Sequence, residues 1–137
     1  MSKLYVLDAC AIIALIKGED GDEVVWNTLC QAFMGSATVF MHEINLLEVY
    51  YGFYRECGKE YAKHKVAEAS IFFTTIKGLS GEVFAEAGRL KSLYRISLAD
   101  SVALAEAFVS GGTLLTADHH EFDLIEQKEK IKFCWIR

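Results

Sequence analysis

The chain contains no proline, no apolar run of membrane-spanning length, no paired cysteines and no excess of basic charge, and each absence narrows what it can be. Without proline, only glycines and polar clusters punctuate the sequence, so element edges are loosely marked. The longest apolar runs fall well short of the roughly 20 residues a membrane helix requires. No basic-then-apolar leader with a small-residue cleavage site opens the chain. A soluble, cytoplasmic protein without a membrane partner is therefore expected. Cys10, Cys30, Cys57 and Cys134 are scattered with no C-x-x-C pair, which argues against a zinc framework and against a secreted disulfide scaffold. A net charge of −5 opposes, on its face, a nucleic-acid ligand, because phosphate binding draws on Lys and Arg.

What is abundant is apolar surface. With 137 residues and 53% hydrophobic content, the chain has the size and the core of one ordinary domain, expected to span residues 1–137. Apolar runs at Lys3 to Leu7, Ala37 to Met41, Ile71 to Ile76, Thr113 to Thr116 and Ile131 to Ile136 predict strands. Helical spacing predicts helices over Cys10 to Lys17, Val24 to Phe33, Lys59 to Ser70 and Ser80 to Leu93. Two more are predicted from capping boxes, one opened by Asn45 with Glu48 three residues on and the other by Ser97 with Asp100. Strands alternating with helices predict an α/β sandwich of three layers around a mainly parallel sheet of four or five strands. In such a sheet the strand carboxyl ends share one edge, and ligands bind there.

Four carboxylates are expected at that edge. Asp8 and Asp118 lie just past strand ends, and Glu48 and Asp100 in the first turns of helices; Asp8, Glu48 and Asp100 are embedded in apolar sequence. Singly, each has a plain structural explanation: Asp8 as a helix cap, Glu48 and Asp100 as capping-box acids, Asp118 as a turn residue. Together they lack any adjacent run of Lys or Arg, and packed carboxylates repel unless a cation joins them. An all-oxygen donor set points to Mg²⁺ or Mn²⁺ in preference to zinc. His119 and His120 form no H-x-x-x-H or H-E-x-x-H pattern and are read as solvent-facing turn residues. Tyr50, Tyr51, Phe53 and Tyr54 stand at helical spacing and are read as core or interface.

In this order the residues resemble a PIN domain, and within that family the VapC-type toxins of toxin–antitoxin pairs. The likeness lies in residues 5–13 (YVLDACAII), 45–52 (NLLEVYYG), 97–105 (SLADSVALA) and 114–122 (LLTADHHEF), four pieces that span nearly the whole chain. It implies a ribonuclease whose acidic quartet, Asp8, Glu48, Asp100 and Asp118, is both catalytic and metal-binding, with Thr116 as a supporting hydroxyl. It further implies an RNA substrate, a homodimer, and a small antitoxin covering the apolar helices near Ile12, Ile13, Leu15, Ile16, Val25 and Leu29. The alternative is a PIN-like module that has lost catalysis and acts as a protein-binding partner. One departure is Cys10, where many relatives carry Ser or Thr, and which puts a hydroxyl contact at that position in doubt. Asp123 is a nearby carboxylate read as structural. Lys17, Arg55, Lys59, Lys63, Lys65, Lys91 and Arg95 are mostly read as solvated surface.

Overall fold

The computed structural model describes residues 3–137. In chain order the elements are β1 (Lys3–Leu7), α1 (Ala9–Lys17), α2 (Asp22–Phe33), β2 (Ala37–His42), α3 (Glu43–Cys57), α4 (Lys59–Ser70), β3 (Thr74–Ile76), α5 (Gly81–Leu93), α6 (Leu98–Ser110), β4 (Thr113–Thr116), α7 (His119–Lys128) and β5 (Lys132–Trp135). The five strands form one sheet in the order β3-β2-β1-β4-β5, and every pairing is parallel. The expected three-layer α/β architecture is what the chain adopts.

Parallel strands are linked by helical crossovers that cover both sheet faces, which is why these strands read as nearly continuous apolar runs. Successive side chains of β1 serve opposite layers. Leu7 packs with α1 to α4 against Val39, Met41 and Leu115. Val6 packs with α5, α6 and α7 against Leu114 and Phe122. Both residues are fully buried. The register sets Leu7 beside Met41 of β2 and Leu115 of β4, so the residues that follow these three strands emerge together.

Several boundaries differ from those read in the sequence. Helix α3 begins at Glu43, capped by His42, whose Nδ1 accepts from the Ile44 amide at 3.0 Å. Asn45 is therefore a buried interior residue and not the cap, and Glu48 sits in the second turn. The run Ile71 to Ile76 shortens to three strand residues. Its first part continues the turn of α4 through Ile71 N to Glu68 O and Phe72 N to Ala69 O bonds, and Ile71 is left exposed. The His119-His120 pair opens a helix, α7, in place of a turn; only Phe122 and Ile125 of that helix are buried, too sparse a stripe to announce it. Ile12, Val25 and Leu29 belong to the core, so of the residues expected beneath a partner only Ile13, Leu15 and Ile16 retain exposure.

Gly21, before α2, has φ of 94°, and a side chain there would run into the backbone carbonyl of Ile136. This close approach fixes the carboxyl end of the chain against the α1–α2 connection. Arg137 strengthens the tie by donating to the Asp20 carbonyl at 2.8 Å.

Candidate acidic site

Asp8 is the first residue beyond β1 and the N-cap of α1. It is 3% exposed and fully engaged. Oδ1 accepts from the Ala11 amide and from the Cys10 thiol, each at 3.1 Å, and Oδ2 accepts a short bond from the Thr116 hydroxyl. Thr116 ends β4 and is completely buried; its oxygen also accepts from the Asp118 amide at 3.1 Å. Cap and site residue are thus the same carboxylate. Burial pushes the Asp8 carboxyl above its ordinary value, the bonds from Thr116, Cys10 and Ala11 pull against this, and the charge of Asp118 adds to the rise.

The hydroxyl that Cys10 lacks is replaced by its thiol. Sγ donates to Asp8, lies 3.4 Å from Thr116 Oγ1 and accepts from the Ala117 amide at 3.2 Å. Burial first, then the negative Asp8, raises the thiol well above its usual range. The group remains a protonated donor and is not a thiolate ligand.

The other three acids come from separate elements. Asp118 caps α7 by accepting from the Glu121 amide at 3.2 Å. Asp100 stands in the first turn of α6, its amide bonded to the Ser97 hydroxyl at 3.0 Å, as the capping-box reading expects. Its carboxyl is pushed up to about 7, by burial foremost and then by the charges of Glu48, Asp8 and Asp118. Glu48 on α3 is likewise raised, by burial and then by Asp8 and Asp118.

Asp8, Glu48 and Asp100 each feel the charge of at least one other acid of the quartet, and no Lys or Arg figures among the influences on them. Among the described residues no three Asp, Glu, His or Cys side chains stand close enough together to hold a metal ion already. The chemistry of the donors fits a hard divalent ion, with carboxylate oxygens and one fixed hydroxyl and neither a thiolate nor an imidazole. Asp123 does not join them. It is exposed and bonded to His119 Nδ1 at 2.8 Å, and His119 stacks on Trp135. Cys10, whose thiol donates to Asp8, is the residue whose part sequence reasoning did not supply.

A parallel α/β sandwich with one buried and three half-buried carboxylates toward the edge beyond its strand ends defines a class of acidic-site domains. The PIN domain family model matches residues 5–128, and the chain belongs to that family. No curated protein sequence matches it. Among solved structures it is similar to a chain of the DNA-bound VapBC from Salmonella typhimurium, at TM-score 0.76 and 16% identity over 100% of both chains. It is also similar to a chain of VapBC2 from Rickettsia felis bound to a promoter DNA fragment, at TM-score 0.75 and 21% identity over 96% of this chain and 97% of that one. A third is VapC20 of Mycobacterium tuberculosis, described as a sarcin-ricin loop cleaving toxin, at TM-score 0.60 and 14% identity over 82% and 87%. At these identities the likeness is one of fold. No helix among the described residues is long and apolar enough to cross a membrane.

Proposed function

We propose that this chain is a single-domain endoribonuclease, dependent on Mg²⁺ or Mn²⁺, that hydrolyses RNA phosphodiester bonds in the cytoplasm as the toxin of a toxin–antitoxin pair. The observation that carries the reading is a PIN domain in which Asp100 is raised to about 7, by burial foremost and then by the charges of Glu48, Asp8 and Asp118, with no Lys or Arg among the influences on it. Such a cluster is poorly placed for stability alone. Membership of the family and the likeness to a toxin described as cleaving the sarcin-ricin loop support the chemistry.

Asp8, Asp100 and Asp118 would hold the ion, with Glu48 orienting water or sharing a second ion. The bound metal would supply charge neutralisation at the phosphate and an activated water for in-line attack. Thr116 and Cys10 hold the Asp8 carboxylate in one orientation by donating to each of its oxygens. The Ala11 amide fixes the same group to the start of α1. Those donors favour the charged form and oppose the burial that raises the Asp8 carboxyl, so a bound cation would complete what they begin.

Two partners belong to the proposal. A small antitoxin would cover the part-exposed Ile13, Leu15 and Ile16 of α1 beside Trp26, as the VapBC complexes suggest. A homodimer is proposed from family likeness. The exposed Leu47, Leu79, Phe84 and Leu98, around a groove between α3, α5 and α6, give it an apolar face.

The test is cleavage of a mixed RNA substrate by the purified chain with Mg²⁺, Mn²⁺ or a chelator. Asp8→Asn should reduce cleavage at least about a hundredfold, on the scale of losing a charged group that acts only in the transition state, while circular dichroism shows the fold intact. Metal-dependent cutting that survives in Asp8→Asn would defeat the assignment. A wild-type chain that binds its antitoxin yet cuts no RNA would leave the non-catalytic partner module.

A further inference from the structure

Four aromatic rings form a ladder that climbs from the core to the edge beyond the strand ends. Phe122 is fully buried and packs on Phe133 with ring centroids 5.9 Å apart. Phe133 stacks on Trp135 at 5.3 Å and 8°, and Trp135 stacks on His119 at 3.8 Å and 13°. The two outer rungs are held in orientation by polar contacts. Trp135 Nε1 donates to Glu126 at 3.0 Å. His119 Nδ1 lies 2.8 Å from Asp123 Oδ1, and Nε2 lies 2.9 Å from the backbone oxygen of Arg137.

The ladder ends beside the candidate site. Trp135 is the register partner of Thr116 on β4, so the two side chains leave the same sheet face on strands about 4.8 Å apart. Thr116 is the donor to Asp8 Oδ2, and His119 directly follows Asp118. One face of the His119 ring lies on Trp135 and both its nitrogens are engaged, yet the side chain is still 47% exposed. The surface it shows to solvent is therefore its outer face. A ring left this open adds little to packing. It has what a stacking partner requires: a flat surface, fixed in orientation before binding, with one side free.

We infer that the outer face of His119 is a stacking platform for one nucleobase of single-stranded RNA, beside the acidic edge. The inference rests on the ribonuclease reading above. The base becomes the fifth ring of the ladder, and His119 binds the substrate without meeting the reacting atoms. Every base has a π face, so such a contact tolerates any sequence. It also draws on no Lys or Arg, which suits a chain of net charge −5 that is to bind a polyanion.

The test is binding of a fluorescein-labelled, mixed-sequence RNA of about ten nucleotides, read by anisotropy at low ionic strength in chelator. The competitor is an abasic oligoribonucleotide of the same length, which keeps every phosphate and removes every base. The quantity read is the ratio of the two affinities, in the wild type, His119→Ala and His119→Phe. The wild type should prefer the RNA with bases; His119→Ala should lower that preference about tenfold, and His119→Phe, which keeps a flat ring, should hold it within about twofold. Should His119→Ala not fold, His119→Leu fills the same space without a flat face and takes its place. An unchanged ratio in His119→Ala, or a loss in His119→Phe equal to that in Ala, would overturn the platform, the second by showing that the ring's polar contacts and not its face matter. Cleavage of the same RNA with Mg²⁺ is read separately. A wild type that cuts but shows no preference for bases overturns the platform and leaves the ribonuclease. One that prefers bases through His119 yet never cuts keeps the platform and removes the ribonuclease, and one that neither binds nor cuts overturns both.

Discussion

At the scale of single residues, the site depends on two donors that hold one buried carboxylate. Thr116→Val keeps the shape of β4 but strips Asp8 Oδ2 of its donor and the Asp118 amide of its acceptor. A hydrogen bond to a charged group contributes about 1.5–3 kcal/mol, so RNA cleavage by this variant should fall at least about tenfold, measured as kcat under saturating metal. Unchanged kcat would remove Thr116 from the machinery. Cys10→Ser retains a donor in the same place and should keep cleavage within a few fold, whereas Cys10→Ala should not. The thiol itself is predicted to be inert: with iodoacetamide at pH 8, Cys57, which is exposed, should be alkylated in the native protein long before Cys10, whose thiol is raised by burial and by Asp8. Mass spectrometry of the modified peptides decides it, and rapid labelling of Cys10 would contradict the hydrogen-bonded geometry. The four acids stood out as candidates because Asp8 and Asp118 follow strand-like runs and Glu48 and Asp100 lie near helix starts. The contact that Cys10 makes with Thr116 did not stand out, since a bond between residues 106 positions apart leaves no local pattern.

At the scale of elements, the helix starts are where the acids are aimed, and local capping chemistry does the aiming. Ser97 anchors the turn that bears Asp100, so Ser97→Ala should cost about 1 kcal/mol of stability, read from the urea midpoint, and should weaken metal-dependent activity as well. Loss of stability with activity untouched would show that the cap supports the helix alone. Gly21→Ala should be the more damaging change, about 2 kcal/mol or more, because it combines a left-handed backbone with a collision against Ile136. Element type was readable wherever β-branched runs or a full apolar stripe existed, as in β1, α1 and α6. It failed where a neighbour outside the local pattern decided the outcome. A histidine capped α3 in place of the asparagine, and α7 rests on the Asp118 cap and two buried residues.

For the whole molecule, the acids make stability depend on pH in an unusual direction. Asp8, Glu48 and Asp100 all hold protons more firmly in the folded state than when unfolded, Asp100 up to about 7 against an ordinary 3.8. Between pH 4 and 7 the native state thus binds more protons than the unfolded one, and stability from these groups falls as pH rises through that window. In chelator the melting temperature should be higher at pH 5 than at pH 7.5, Mg²⁺ should restore it at pH 7.5 and do little at pH 5, and Asp100→Asn should flatten the difference. A chelated protein that melts higher at pH 7.5 would contradict this. The fold class was open to inference because strands and helices alternate along the chain, but the order of strands was not. That order has a further meaning for how the molecule comes into being. Strand β1 occupies the middle of the sheet and pairs with β4, more than 100 residues downstream, so its second neighbour is synthesised long after it. Such distant pairings close late. A nascent chain that has not yet reached β4 holds Asp8 without Thr116 or Asp118, so the bond that orients this carboxylate forms only after that late pairing.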